Sequence, residues 1–128
     1  MSFEADVIAL FATLPGVDNR VWWDTMPDGT PIPATGAMII LQQVGGKDAW
    51  YLERGPGVPM PSHKNARVMV TMETHDQLLR NSLKRLIEKA VYQSAFVTQI
   101  YGAPRDIYTE QLKLFGSQQQ FGIWYPDP

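Results

Sequence analysis

Along this chain the spacing of apolar positions alternates between two periods, and each change marks an element. Phe3, Val7, Leu10, Phe11 and Leu14 recur at helical spacing. Ser2 stands at the N-cap position and Glu4 and Asp6 lie in the first turn, so the pattern predicts a helix over residues 2–14. Pro15 and Gly16 end it. A strand is expected around 17–23. Residues 24–35 hold Pro27, Asp28-Gly29, Pro31 and Pro33, which predicts a turn and then extended chain. The run AMIILQQV, residues 37–44, is continuously apolar at its start and predicts a strand buried on both faces. Gly45 and Gly46 are then expected to turn the chain toward a shorter strand near 50–54.

The stretch GPGVPMPSHKN, residues 55–65, reads as loop by composition. ARVMVTMET returns to the period of two, with Val68, Val70 and Met72 on one side and Arg67, Met69, Thr71 and Glu73 on the other. Thr74 and Gln77 form a capping-box pattern that opens the longest helix, about 76–93. Its apolar stripe is Leu79, Leu83, Leu86, Ile87 and Ala90. AFVTQIY predicts another strand, Gly102-Ala103-Pro104 a break, and residues 107–125 one or two further strands around Gly116. The sum is an α+β fold: a single antiparallel or mixed β-sheet, with an N-terminal helix and one long helix packed on one face. There is no internal repeat, low-complexity block or linker to divide the chain, so residues 1–128 are expected to form a single domain.

Composition narrows the possible roles. A formal charge of −2 gives no basis for general affinity for nucleic acid. The absence of cysteine excludes disulfides, thiolate metal sites and a cysteine nucleophile. Glu4 and Asp6 stand where a signal peptide would carry lysine or arginine, and no run approaches the roughly 18 apolar residues of a membrane span. A soluble protein that remains where it is made is the expectation.

Catalytic chemistry finds few footholds. His75 beside Asp76 could orient an imidazole for general-base work, but a helix start accounts for both residues. His63 lies in the proline-rich loop, and its spacing from His75 has no helical or hairpin logic for a metal. GPGVPMPS lacks the lysine and hydroxyl of a phosphate loop, and its prolines remove N–H donors. On the long helix, Arg80 and Lys84 flank one side of the stripe and Arg85 and Lys89 the other. Glu88 sits between them, able to pair with Lys84 or Arg85, which reads as a solvated face. Asp106 and Glu110 read as a solvated edge. No enzymatic activity, metal or other cofactor is expected.

Aromatic and neutral surfaces remain. Trp22/Trp23, Trp50/Tyr51 and Trp124/Tyr125 are adjacent pairs on predicted strands, and alternation sends one ring of each pair to each face. FGSQQQFGIWY, residues 115–125, has no charged residue. Edge strands usually carry lysine, proline or a bulge against unwanted pairing, so this strand either lies inside the sheet or pairs with another chain. An oligomeric interface would be rich in such aromatic residues and poor in lysine.

The layout resembles the phage tail-completion proteins, also called tail terminators, over nearly the whole chain. VIALFATLPG, NRVWWD and MPDGTPIPATGAMIILQQV are similar to that family's first helix, arginine-valine-aromatic strand and proline-rich loop with its following strand. ARVMVTMETHDQLLRNSLKRLIEKAV is like its strand and long helix, and DIYTEQLKLFGSQQQFGIWY resembles its closing strands. The resemblance implies a phage or prophage structural subunit that forms a homo-oligomeric ring, closes the tail tube and meets the head connector or neck proteins. It implies the host cytoplasm during assembly and the virion tail afterwards, with no membrane and no recognition of nucleic acid sequence. The family brings no catalytic residues. Interface candidates come from the aromatic and neutral surfaces: Trp22, Trp23, Pro31, Pro33, Val58, Met60, His63, Lys64, Gln118, Gln120 and Trp124. A small carbohydrate- or protein-binding module using exposed aromatic residues is the alternative.

Overall fold

A computed structural model describes residues 3–24, 35–48 and 63–126. Pro31, Pro33, Val58, Met60, the pair Trp50/Tyr51 and the strand expected near 50–54 lie outside them. The element order is α1 (Phe3–Ala12), β1 (Val21–Trp23), β2 (Ala37–Asp48), β3 (His63–Thr74), α2 (Gln77–Tyr92), β4 (Val97–Ile100), β5 (Arg105–Thr109) and β6 (Leu114–Pro126). The fold is α+β, as expected: two helices pack on one mixed six-stranded sheet.

The sheet order is β1-β2-β3-β6-β4, with β5 also paired to β6. Only the β1–β2 pairing is parallel among these strands. β3 and β6 form the long central ladder, from His63↔Pro126 to Thr74↔Phe115. Alternation then decides burial. Ala66, Val68, Val70 and Met72 point to the helices, as do Phe121 and Ile123 opposite them, and all six are buried. Val7 and Phe11 of α1 and Leu83, Ile87 and Val91 of α2 close the core from the other side.

Several local expectations are corrected. The strand after α1 has three residues rather than seven, because Asp18 and Asn19 take positive φ and Val17 is buried in a turn. Gly45 and Gly46 do not turn the chain. β2 runs through them to Asp48, absorbing the irregularity as a register shift between Gln43 and Gly45. His63, Lys64 and Asn65 belong to β3 rather than to a loop. The break in the last segment falls at residues 110–113, so Gly116 sits inside β6. A Cβ there would stand 2.8 Å from the Met72 carbonyl oxygen, which explains glycine at that position.

The cap of α2 also differs from the capping box. Asp76 is the N-cap, and its carboxylate accepts from the N–H groups of Leu78 and Leu79. Thr74 is fully buried; its hydroxyl donates to the Gly36 carbonyl at 2.7 Å and accepts from the Asp76 N–H at 3.1 Å. Arg20 fastens the same corner, donating from Nε to the Ala37 carbonyl and from its guanidinium to the Gly16 carbonyl. Gly36, at φ 91°, lies directly against that guanidinium.

Candidate interface on the helix-free side of the sheet

The parity that fills the core leaves a second face on which, among the described residues, no helix packs. The residues on it follow from the register. One row crosses the sheet as Trp22, Ile40, Thr71, Gln118 and Arg105. Beside it lies a row of Gln42, Met69 and Gln120, and farther along come Arg67, Gly122 and Gln99. Trp124 and Val97 sit beyond these. Trp22, Ile40, Met69, Thr71, Gln118, Gln120 and Trp124 are all half-buried.

Four of the candidates therefore share one face: Trp22, Gln118, Gln120 and Trp124. They do not form one tight cluster. Trp22 and Trp124 lie in rows six β3 residues apart, about 20 Å along the strand. Trp23 faces the other way, with its ring edge-on to Phe3 at 5.9 Å. Phe3 also stacks on Tyr125 at 4.0 Å, so in both adjacent pairs the second ring packs under α1 and the first faces outward. His63 and Lys64 begin β3, their backbones paired with Pro126 and Tyr125.

β6 owes its lack of charge to its position. It lies inside the sheet, with β3 on one side and β4 and β5 on the other, so the edge-pairing explanation for its neutrality is set aside. The charged residues on the helix-free face of the strands, among the described side chains, are Arg67, Glu73 and Arg105. Arg67 lays its guanidinium over the Tyr101 ring at 4.0 Å, a cation–π contact. Gln118 donates to the Thr71 hydroxyl at 3.4 Å. A partly enclosed depression of about 140 Å³ lies around Gly116, lined by Thr71, Glu73, Ile107, Leu114 and Gln118.

Sequence reasoning placed Arg67, Met69, Thr71 and Glu73 on this face correctly. It missed Ile40, hidden in a continuous apolar run, and the Arg67–Tyr101 stack, which depends on the partnering of β3, β6 and β4.

The helix side carries the polar network. Arg80 is 8% exposed, not solvated; it lies over Phe115 at 5.5 Å and within 3.8 Å of Asp106. Lys84 donates to Asp106 at 2.9 Å. That hydrogen bond, with the nearby charges of Arg80 and Lys84, holds the Asp106 carboxyl below the ordinary carboxylate range. Glu88 accepts from the Gln119 amide rather than pairing with Lys84, and Gln119 also donates to the Gly102 carbonyl. The network ties α2 to β5 and β6.

His75 and Asp76 are each engaged elsewhere. The imidazole Nδ1 lies 3.1 Å from the Lys113 carbonyl oxygen, and the Asp76 carboxylate caps α2. Among the described residues, no group of three or more His, Cys, Asp and Glu side chains could hold a metal ion. Among the same residues, no helix is long and apolar enough to cross a membrane. No known protein family matches the chain, and no curated protein shows significant similarity to it.

Proposed function

We propose that this chain is a structural subunit of a phage or prophage tail, forming a ring that closes the tail tube and joins it to the head connector. The observation that supports this most is the helix-free sheet face. Two tryptophans, Ile40, Met69 and neutral glutamines lie half-buried there, a composition suited to a protein partner. An antiparallel sheet can present one face to water, but such a face normally alternates to charged and short polar side chains. The layout resemblance supplies the kind of partner: tube protein and connector or neck proteins, together with further copies of the chain. The subunit acts by assembly, without a catalytic residue or cofactor, in the host cytoplasm and then in the virion tail.

Native mass spectrometry over a concentration series, with electron microscopy of any assembled fraction, tests the proposal in the presence and absence of tail-tube protein. Rings, or assembly confined to the mixture with tube protein, are expected. A strict monomer that also ignores tube protein would end this reading. A saturable glycan hit lost on Trp22→Ala would replace it with a carbohydrate-binding role. Trp22 is the appropriate probe because Trp23 packs against Phe3.

A further inference from the structure

β4 lies at one margin of the sheet. Among the described residues it pairs with β6 alone, so its outer side has no strand. Tyr101 N–H donates to the Gln120 carbonyl. By the alternation of an antiparallel ladder, Val97 and Gln99 then turn their backbone groups toward β6, and Thr98 and Ile100 turn theirs outward. Apolar side chains accompany these free groups. Val97 is 70% exposed, Ile100 39% and Tyr92 of α2 77%. Between α2 and this strand runs an open groove of about 350 Å³ lined by Arg85, Glu88, Lys89, Tyr92 and Ile100. Arg85 and Lys89 are exposed and outnumber Glu88, so the groove carries a net positive charge.

The opposite margin has the complementary character. β1 is three residues long and pairs, among the described residues, with β2 alone. Asp18 and Asp24 stand exposed on either side of it. Arg20, the cation between them, donates to the Gly16 and Ala37 carbonyls and lies 3.7 Å from the Asp18 carboxylate, which stays 78% exposed, so most of its surface remains open to a neighbour. The chain is net acidic, so a basic groove at one margin leaves the excess negative charge on the rest of its surface.

We infer that the β4 margin receives the β1 margin of a neighbouring copy, continuing the sheet from subunit to subunit with Asp18 and Asp24 facing Arg85 and Lys89. This contact uses two different patches on each copy, so repetition does not stop at a dimer, and it closes a ring when the rotation from copy to copy closes. The added strand bonds to the outward backbone groups of Thr98 and Ile100 by β-augmentation, and the charges fix its direction and register. The inference rests on the ring-subunit reading above and assigns that ring its copy-to-copy contact. The helix-free face is thereby left for the tube.

The test compares the full chain with four variants by sedimentation velocity and native mass spectrometry, with and without tail-tube protein. Arg85→Glu/Lys89→Glu reverses one margin, and Asp18→Lys/Asp24→Lys reverses the other. Each is expected to weaken self-association at least tenfold at low salt, and a chain carrying all four changes is expected to regain it. Thr98→Pro removes only an outward N–H, so it should abolish assembly while thermal unfolding stays close to that of the parent. If the parent forms rings and either charge reversal assembles as well as the parent, or the fourfold reversal fails to restore assembly, the inference is overturned and the ring-subunit reading stands. If Thr98→Pro rings form normally, the strand-addition geometry is overturned. A parent chain that assembles neither alone nor with tube protein overturns both.

Discussion

On its helix side β6 presents Phe121 and Ile123 with essentially no exposure; on the other side Gln120 and Trp124 are half-buried, and Gly122 adds no side chain. The backbone is the same, and β6 is paired on both sides. The contrast therefore comes from what covers each face. α1 and α2 exclude water from one, while among the described residues no helix covers the other. A charge-free strand is thus no sign of an edge waiting for a partner. The informative question is which face carries aromatic rings without a helix over them. By that criterion Trp22 and Trp124 belong to the face on which the proposed assembly draws, and Trp23 and Tyr125 to the fold.

The sharpest way to break this contrast is to truncate one ring on each side. Phe121→Ala empties a fully buried site in the central strand and is expected to lower unfolding free energy by about 3–5 kcal/mol. Trp124→Ala, three residues along and on the other face, should lose much less in the same denaturant titration. Equal losses would mean that the helix-free face is as tightly packed as the core, and the assignment of roles would fail.

A smaller effect tests how the helix side is fastened. Thr74→Val keeps the shape of a fully buried side chain but leaves the Gly36 carbonyl and the Asp76 N–H without its hydroxyl. A loss of about 1–3 kcal/mol is expected from urea unfolding, because both orphaned groups lie at a part-buried corner. An unchanged midpoint would show that this corner is not a point of attachment for α2.

These positions also show how far the sequence was legible. The period of two in residues 66–74 and the helical stripe of α2 are local patterns that burial rewards directly, so both elements and their inward faces could be read. Thr74 could not. Its spacing to Gln77 matched a capping box, but Gly36 reaches it only after β2 and β3 pair, and Asp76 takes the cap. Gly45, Gly46 and Gly116 look like punctuation in the sequence because glycine usually breaks elements. Here a bulge absorbs the first two, and the close approach of β3 to β6 requires the third. The burial of Arg80 is invisible in the local pattern because only tertiary packing brings Asp106 and Phe115 to it. Of the interface candidates, Gln118, Gln120 and Trp124 stand out in the sequence only by lying in an uncharged stretch, and the register of β6 puts them on one face. Strand order, which brings Trp22 onto the same face, was not in the local pattern.

The ion pairs on the helix side predict a modest pH dependence. The Asp106 carboxyl is held below its ordinary value of 3.8 by Lys84 and Arg80. A depressed folded-state value means that the ionised form favours the fold. The contribution is complete above the ordinary value and is lost as pH falls through the lowered one. Because Asp106 is about half exposed, solvent screens the pair and the effect is small. A carboxyl titration followed by NMR should place Asp106 below the unperturbed range, and Lys84→Met should return it toward 3.8. An Asp106 that titrates normally in the parent would remove this link between α2 and β5.

The smallest expected effect on stability separates the two faces most finely, because it uses adjacent glutamines. Gln119 is buried on the helix side and donates to both Glu88 and the Gly102 carbonyl, so Gln119→Leu leaves those acceptors without its amide. Gln120 points the other way and is half-buried beside Met69. Gln120→Lys should change unfolding free energy by no more than about 0.5 kcal/mol, the usual range for a surface substitution. Yet lysine is depleted where protein interfaces bury their centre, and a new charge there must be desolvated when a partner docks. The expected result is a variant that unfolds like the parent and still forms copy-to-copy contacts, but fails to pellet with tail-tube protein. Full retention on the tube would show that the helix-free face is not the surface that meets it, and would shift the search to the margins of the sheet.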